Sequence, residues 1–510
     1  MITVHARESF LIKRKTIPIA VQETLTKKYS YRFYDERVCA NCEFLEDRHS
    51  PTCDSCDAFK GGADLVTPVL IGKTEYIKAP IGDRTGVLRE IANAGLDYQI
   101  KPHYPNSPMK RVIKFTGELR SHQPAGVEAI VKKRRGVLRA PPRSGKTVMG
   151  TAAICRIAQK TMILASQIEW LEGFEETFIG SAEQPAMTNC RRSQIGRART
   201  IEEFEKYDVC LVTPQTFRTP AGQKLLRKIR DMFPVLLVDE VHKAAAAKYA
   251  KVISALNCKW KIGLSGTPNR KDGRYVLMRA LMGPLIADIK VESVVPHGRL
   301  VKTAYTEGPK RKGGYQVPWS IAVNKLEYDP KRLKLIADWA LKDISNGHMV
   351  LIPLARVKAM EALTMAINKM AGKKVADVLH GKVPKPRRKQ LIIDARSYKV
   401  KCLVGTTNLL STGTNIPRAS ALYDVTLSSN NENCEQRSRR VCTPFDGKPT
   451  PIIRFFLDDL AVRRNCLRNE YYNVLRPIIK LKLTDRDEQV MKLYLSQKVG
   501  GGLTRRLSLD

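Results

Sequence analysis

At 510 residues the chain is long enough for several domains, each burying its own core, so its stability needs no disulfide scaffold. Hydrophobic residues at 43% and charged residues at 27% are ordinary for a globular protein, and no stretch holds the roughly 18 uninterrupted apolar residues of a membrane span. The formal charge of +38 favours a polyanionic partner, nucleic acid before an anionic membrane surface, although a single cluster such as Lys132-Lys133-Arg134-Arg135 reads equally well as a solvated face.

The first fifteen residues carry Arg7, Glu8, Lys13, Arg14 and Lys15 and no secretory pattern, so an intracellular, cytoplasmic location is expected. Residues 1–110 read as an N-terminal module ending at a proline-rich joint, His103 to Pro108. Within it Cys39-Ala40-Asn41-Cys42 and Cys53-Asp54-Ser55-Cys56 form two CxxC pairs. Two such knuckles can supply four thiolates to one tetrahedral Zn²⁺, and a site closed in this way braces a fold rather than catalysing. Disulfides are the competing reading, disfavoured in an intracellular chain. Tyr29, Tyr31, Arg32, Phe33, Tyr34 and Arg37 mix aromatic and basic side chains, which suits stacking on bases, gripping phosphates or packing. The other eight cysteines show no paired spacing.

From 111 to 298, apolar runs at Val137-Leu138, Thr161 to Ala165, Val209 to Val212, Val235 to Val238 and Ile262 to Leu264 alternate with helical stretches. That pattern predicts an α/β domain with a parallel sheet. A second series over 299–475, at Met349 to Leu354, Val378-Leu379, Lys401 to Val404, Leu422 to Val425 and Ile452 to Phe456, predicts another. Thr306 to Ser320 reads as a polar insertion, and 476–510 as a C-terminal segment with a helix-like run before Gly500-Gly501-Gly502.

Ala140-Pro141-Pro142-Arg143-Ser144-Gly145-Lys146-Thr147 follows an apolar strand and precedes a run that can continue as a helix. In that context Arg143, Ser144, Gly145, Lys146 and Thr147 form a phosphate loop: backbone N–H groups cradle the phosphates, Lys146 neutralises β/γ oxygens and the Thr147 hydroxyl ligates Mg²⁺. A Gly-Lys-Thr triplet alone is a weak signal; its flanks carry the reading, with alanine at 140 where glycine is usual. Val235 to Val238 then deliver Asp239 and Glu240 at a strand end, placed for Asp239 to hold Mg²⁺ and Glu240 to activate water. The bland reading is a strand that happens to end in acids.

Asp239-Glu240-Val241-His242 after a phosphate loop resembles the superfamily 2 helicases. The resemblance implies two tandem RecA-like domains binding ATP and Mg²⁺ in the cleft between them, with nucleic acid across both on the opposite edge. It assigns Gln123, in Leu119-Arg120-Ser121-His122-Gln123, to adenine. Ile163 to Trp170 and Val212-Thr213-Pro214-Gln215 are similar to strand contacts, and Ser265-Gly266-Thr267-Pro268 to the turn coupling hydrolysis to domain movement. In the second domain Gly413-Thr414-Asn415-Ile416-Pro417 resembles the motif touching ATP and nucleic acid, with Asn415 replacing the commoner aspartate. Gln436-Arg437-Ser438-Arg439-Arg440-Val441-Cys442-Thr443 resembles the arginine-finger motif, but Thr443 stands where its last arginine belongs. Arg440 is then the expected finger, with Arg437 or Arg439 supplementing it.

The match spans about 115–460 and is closest to UvsW-type helicases of tailed phages, more distantly to the XPB and RecG relatives. It implies an ATP-dependent DNA helicase or translocase that remodels branched DNA, in host cytoplasm if the source is a phage. Two rivals stand beside it, an RNA helicase and a nucleic-acid-binding scaffold without turnover; Thr443 and Ala140 keep the second alive.

Overall fold

Runs of apolar residues without alternation need cover on both faces, and parallel strands between layers of helices provide it. The computed structural model describes residues 2–6, 10–32, 62–64, 66–71, 74–80, 82–141, 144–181, 184–242, 247–266, 275–291, 293–306, 319–412, 416–428 and 431–496. The chain divides into two units, Met1–Val291 and Glu292–Asp510.

The first unit begins with strands β1 (Ile2–Ala6), β2 (Phe10–Lys13), β3 (Ser30–Arg32), β4 (Gly62–Asp64), β5 (Thr67–Ile71), β6 (Thr74–Ala79) and β7 (Tyr98–Pro102). Among the described residues five of them form a sheet in the order β5-β6-β2-β1-β7, parallel only between β1 and β7, while β3 and β4 pair separately. Val4, Phe10 and Ile12 meet Leu25, Val87 and Ile91 from the helices Ile19–Lys28 and Arg84–Asn93 in a small core. This module is fastened to the rest of the unit where the Gly82 N–H donates to the Ala280 carbonyl at 3.0 Å and Arg279 faces Asp83 at 3.4 Å. A Cβ at residue 82 would lie 2.2 Å from the Arg279 carbonyl oxygen, so only glycine permits the approach. The four paired cysteines lie outside the described residues.

Then follow β8 (Arg135–Arg139), β9 (Thr161–Leu164), β10 (Ile195–Arg197), β11 (Val209–Val212), β12 (Val235–Asp239), β13 (Trp260–Ser265) and β14 (Leu285–Asp288). They make a parallel sheet ordered β10-β11-β9-β12-β13-β8-β14, with an apolar core on each face. Every apolar run expected here is a strand. β10 and β14, the edge strands, carry mixed side chains and were not foreseen.

The second unit holds β15 (His297–Thr306), β16 (Met349–Leu354), β17 (Ala376–Leu379), β18 (Cys402–Thr406), β19 (Ala419–Asp424) and β20 (Ile452–Asp459), parallel in the order β15-β20-β19-β16-β18-β17. β15 spans residue 298, so the second sheet starts earlier than 299. The helix Asp485–Ser496 packs Met491, Tyr494 and Leu495 into this unit's core, and the Tyr494 hydroxyl donates to the Asp458 carbonyl at 2.7 Å. The C-terminal segment as far as Ser496 is therefore part of the second α/β layer. No helix among the described residues is long and apolar enough to cross a membrane.

Candidate nucleotide site

Strand order brings the two acidic and phosphate-binding segments together. β8 leads into the phosphate loop, β12 ends in the acids, and β13 lies between them, paired to both. The Ala140 N–H donates to the Ser265 carbonyl at 2.9 Å, extending that pairing to the loop's first residue.

The loop turns into the helix Lys146–Ile157 through Gly145, whose φ of +81° lies in the left-handed region. A Cβ at 145 would sit 2.1 Å from Gln123 Nε2. Gln123 opens the helix Gln123–Lys133 and is buried; its Nε2 donates to the Ser144 carbonyl at 2.9 Å and its Oε1 accepts from the Arg120 N–H at 2.9 Å. Its side chain thus braces the loop from behind. The Ser144 hydroxyl is fully buried and has no hydrogen-bond partner. An orphaned hydroxyl, a glycine cradle and a helix N-terminus with its unmatched N–H groups are what a polyphosphate fits. Thr147, in the first turn of that helix, is partly exposed.

At the end of β12 Asp239 is buried, accepting the Glu240 N–H at 3.0 Å. Burial pushes its carboxyl up to about 6, against the pull of Lys146, and the neighbouring Glu240 pushes the same way. Such a carboxyl gains most from a divalent cation, which the hard-oxygen donor set suits. Glu240 has φ +46°, a left-handed conformation an L-residue with a long side chain rarely adopts. Its Oε1 meets Lys146 Nζ at 2.6 Å, and its Oε2 lies 3.3 Å from His242 Nδ1. The same Nδ1 lies 3.1 Å from Ser265 Oγ. A chain of contacts, Lys146–Glu240–His242–Ser265, therefore joins three segments that are separate in the sequence. Arg143, Thr267 and Pro268 lie outside the described residues.

The residues that follow Gln123 in its helix line a cavity of about 460 Å³ with Phe115, Leu119 and Ala152: Pro124 and Val127 face it, and Glu128 and Arg156 are paired at 2.8 Å on its wall. Its apolar lining was not anticipated; Phe115 had no motif to mark it.

In the second unit, the helix Asn431–Val441 carries Arg437 inward. Its Nη2 contacts Glu470 Oε2 at 2.6 Å and Asp424 Oδ1 at 3.0 Å, while Arg463 holds Asp424 Oδ2 at 2.7 Å. Burial disfavours charge on all four groups, but Arg463 and Arg437 outweigh it at Asp424 and hold that carboxyl low. Burial pushes Glu470 up to about 7, against the pull of Arg437. Arg437, expected as a supplementary finger, is in this arrangement an internal strut, because two buried acids claim its guanidinium. Arg439 pairs with Glu435 at 2.8 Å, and Arg440 is partly exposed. Gly413 and Asn415 lie outside the described residues.

These features define a P-loop nucleotide-binding protein with a second parallel α/β unit. Residues 116–270 match the family model described as type III restriction enzyme, res subunit, and residues 331–442 match the helicase conserved C-terminal domain. The chain belongs to the superfamily 2 helicases. It is 23% identical over 327 residues to the probable helicase D10 of Escherichia phage T5, covering 62% of this chain and 66% of that protein. It is 24% identical over 388 residues to a putative DNA 3'-5' helicase Rad25 of Haloarcula marismortui, covering 72% and 59%. The match thus spans two thirds or less of these relatives' lengths. Among solved structures, T4 UvsW aligns at 14% identity over 95% of this chain and 98% of its own, with a TM-score of 0.38.

Proposed function

We propose that the chain is an ATP-driven DNA translocase that remodels branched DNA such as forks and four-way junctions. The observation that carries the reading is the convergence of Lys146, Asp239 and Glu240 at one end of a parallel sheet, beside a phosphate cradle whose Ser144 hydroxyl is orphaned. Bound Mg²⁺·ATP supplies the phosphoryl group and its charge neutralisation; Thr147 and Asp239 would hold the metal, and the loop N–H groups the phosphates. Lys146 must leave Glu240 to reach a phosphate, and that exchange frees the Glu240 carboxylate to orient and deprotonate water. His242 passes the change to Ser265, the first residue of the turn that resembles a coupling element. Arg440 is the proposed arginine of the second unit, and Gln123 with the Phe115 cavity the proposed seat of the base. DNA as substrate rests on the charge of +38 and on the similarity to DNA-named helicases; the branched preference rests on the UvsW resemblance in the sequence.

The test is ATP hydrolysis by wild type and Glu240→Gln with no nucleic acid, single-stranded DNA, duplex, a four-way junction and matched RNA. Junction DNA should stimulate wild type most, and Glu240→Gln should lose about 10²-fold or more. Stimulation by RNA alone would overturn the substrate, and no turnover under any condition would overturn the motor. Cys39, Cys42, Cys53 and Cys56 are proposed as a structural zinc site of four thiolates. About one zinc per chain by elemental analysis, lost in Cys39→Ser/Cys42→Ser, is the expected result.

A further inference from the structure

We propose that the N-terminal edge of the second unit's sheet carries a binding site for a phosphate group, on the edge opposite the strand ends that lead to the helicase motifs. A cavity of about 420 Å³ opens there, lined by Arg299, Trp339, Lys342, Asp343, His348 and Arg454, with Asp487 also on its wall. Its size falls within the range of about 300–1,000 Å³ typical of ligand pockets. Arg299 and Arg454 lie near the beginnings of β15 and β20, His348 immediately precedes β16, and Trp339 to Asp343 form the last turns of the helix Pro330–Ser345. Thr406 and Asp424, which lead to the motif segments, stand at the other ends of their strands.

Two features make this a built site rather than a patch of solvated cations. Arg299 and Arg454 are register partners on adjacent parallel strands, a placement in which like charges repel. Arg454 is only 5% exposed, and its guanidinium is held by Asp343 through Nε at 2.9 Å and Nη2 at 2.6 Å while lying 4.1 Å from the Trp339 ring centre. Those contacts fix its plane and leave Nη1 without a hydrogen bond on a side chain that lines the cavity. Asp343 is fully engaged, since it also accepts from the Tyr423 hydroxyl at 2.5 Å. Second, among the described residues neither Arg299 nor Lys342 has an acidic partner, and the Lys342 ammonium instead sits 4.7 Å from the Trp339 ring centre. Three cations thus converge with two acids, Asp343, which is committed to Arg454 and Tyr423, and Asp487, leaving positive charge in excess. A fixed guanidinium edge flanked by two cations without acidic partners is the donor geometry that phosphate oxygens take. The occupant is a phosphate monoester or diester, from a nucleic-acid backbone or from a free nucleotide.

The site is tested with Arg299→Ala/Lys342→Ala, which leaves the Arg454–Asp343 pair intact, and with a control lacking two exposed cations of the same unit, Lys369→Ala/Lys373→Ala. Binding of a labelled single-stranded DNA is followed across salt concentrations by anisotropy, and tripolyphosphate binding by calorimetry in a Lys146→Ala background that silences the phosphate loop. A backbone occupant predicts a salt dependence shallower by about 1.4 in log–log slope for the site variant, two lost phosphate contacts, with the control changed less. A free-nucleotide occupant predicts that tripolyphosphate binding is lost in the site variant while the DNA slope holds. If the site variant and the control behave alike in both assays, the proposal is overturned. Basal ATP hydrolysis without nucleic acid should be unchanged in the site variant, which separates this result from any failure of the motor reading.

Discussion

The nucleotide-site cluster of the first unit and the arginine cluster of the second use the same kinds of residue for opposite ends. Lys146, Asp239 and Glu240 meet at a partly open mouth, with a glutamate in a left-handed conformation, an orphaned serine hydroxyl nearby and a carboxyl pushed up to about 6. Arg437, Arg463, Asp424 and Glu470 meet in the interior, where each charge has an opposite partner at 2.6 to 3.0 Å. A strained glutamate beside an orphaned hydroxyl at an open mouth marks a place prepared for a ligand. The arginine cluster is closed off from solvent and, although Arg437 Nη1, Arg463 Nε and Glu470 Oε1 also lack hydrogen bonds, its charges are paired across elements and mark a joint. The number of arginines in a motif does not distinguish the two; their partners do.

The comparison is broken or sharpened by variants, beginning with the largest effect. Arg437→Ala leaves Asp424 and Glu470 buried without their shared partner and should cost about 3–5 kcal/mol of stability by chemical unfolding. Glu240→Gln should change stability by less than about 1 kcal/mol while abolishing turnover, since a mouth tolerates what a joint does not. Equal destabilisation by the two would erase the distinction.

Asp239→Asn gives the next effect. Because the folded Asp239 carboxyl is raised to about 6, its contribution to stability is fully present below the unfolded value near 3.8 and is lost as pH rises through about 6. Wild-type melting temperature without nucleotide should therefore fall between pH 4 and 7 more steeply than that of Asp239→Asn. A parallel pair of curves would show that Asp239 is not a strained acid. Gly145→Ala should cost about 1 kcal/mol from the left-handed backbone alone, and because its Cβ pushes against the Gln123 amide it should weaken ATP binding as read by fluorescent-nucleotide titration.

Legibility in the sequence followed the same division. The phosphate loop and the acid pair were readable because phosphate chemistry needs contiguous residues at a strand end or helix start, and central strands announce themselves as unbroken apolar runs. β10, β14 and β15 were missed because edge strands mix polar and apolar side chains. The N-terminal five-stranded sheet was missed for a similar reason: its strands are short, and the cysteines drew the reading toward metal. The internal pairing of Arg437 is not legible locally because its partners, Asp424 and Glu470, stand 13 and 33 residues away on other elements, a separation no local pattern reports. The role of Gln123 against Ser144 and the chain from Glu240 to Ser265 were invisible for the same reason.

The position of β13 has a metric consequence. Backbone pairing sets neighbouring strands about 4.8 Å apart, so β8 and β12, with β13 between them, are held about 10 Å apart whatever their side chains. The sheet acts as a ruler, and only side-chain length can close the gap from lysine to carboxylate. Glu240→Asp keeps the charge but shortens the reach by one methylene, so the same acid one carbon shorter should lose its grip on Lys146 and, with it, the resting link that His242 carries to Ser265.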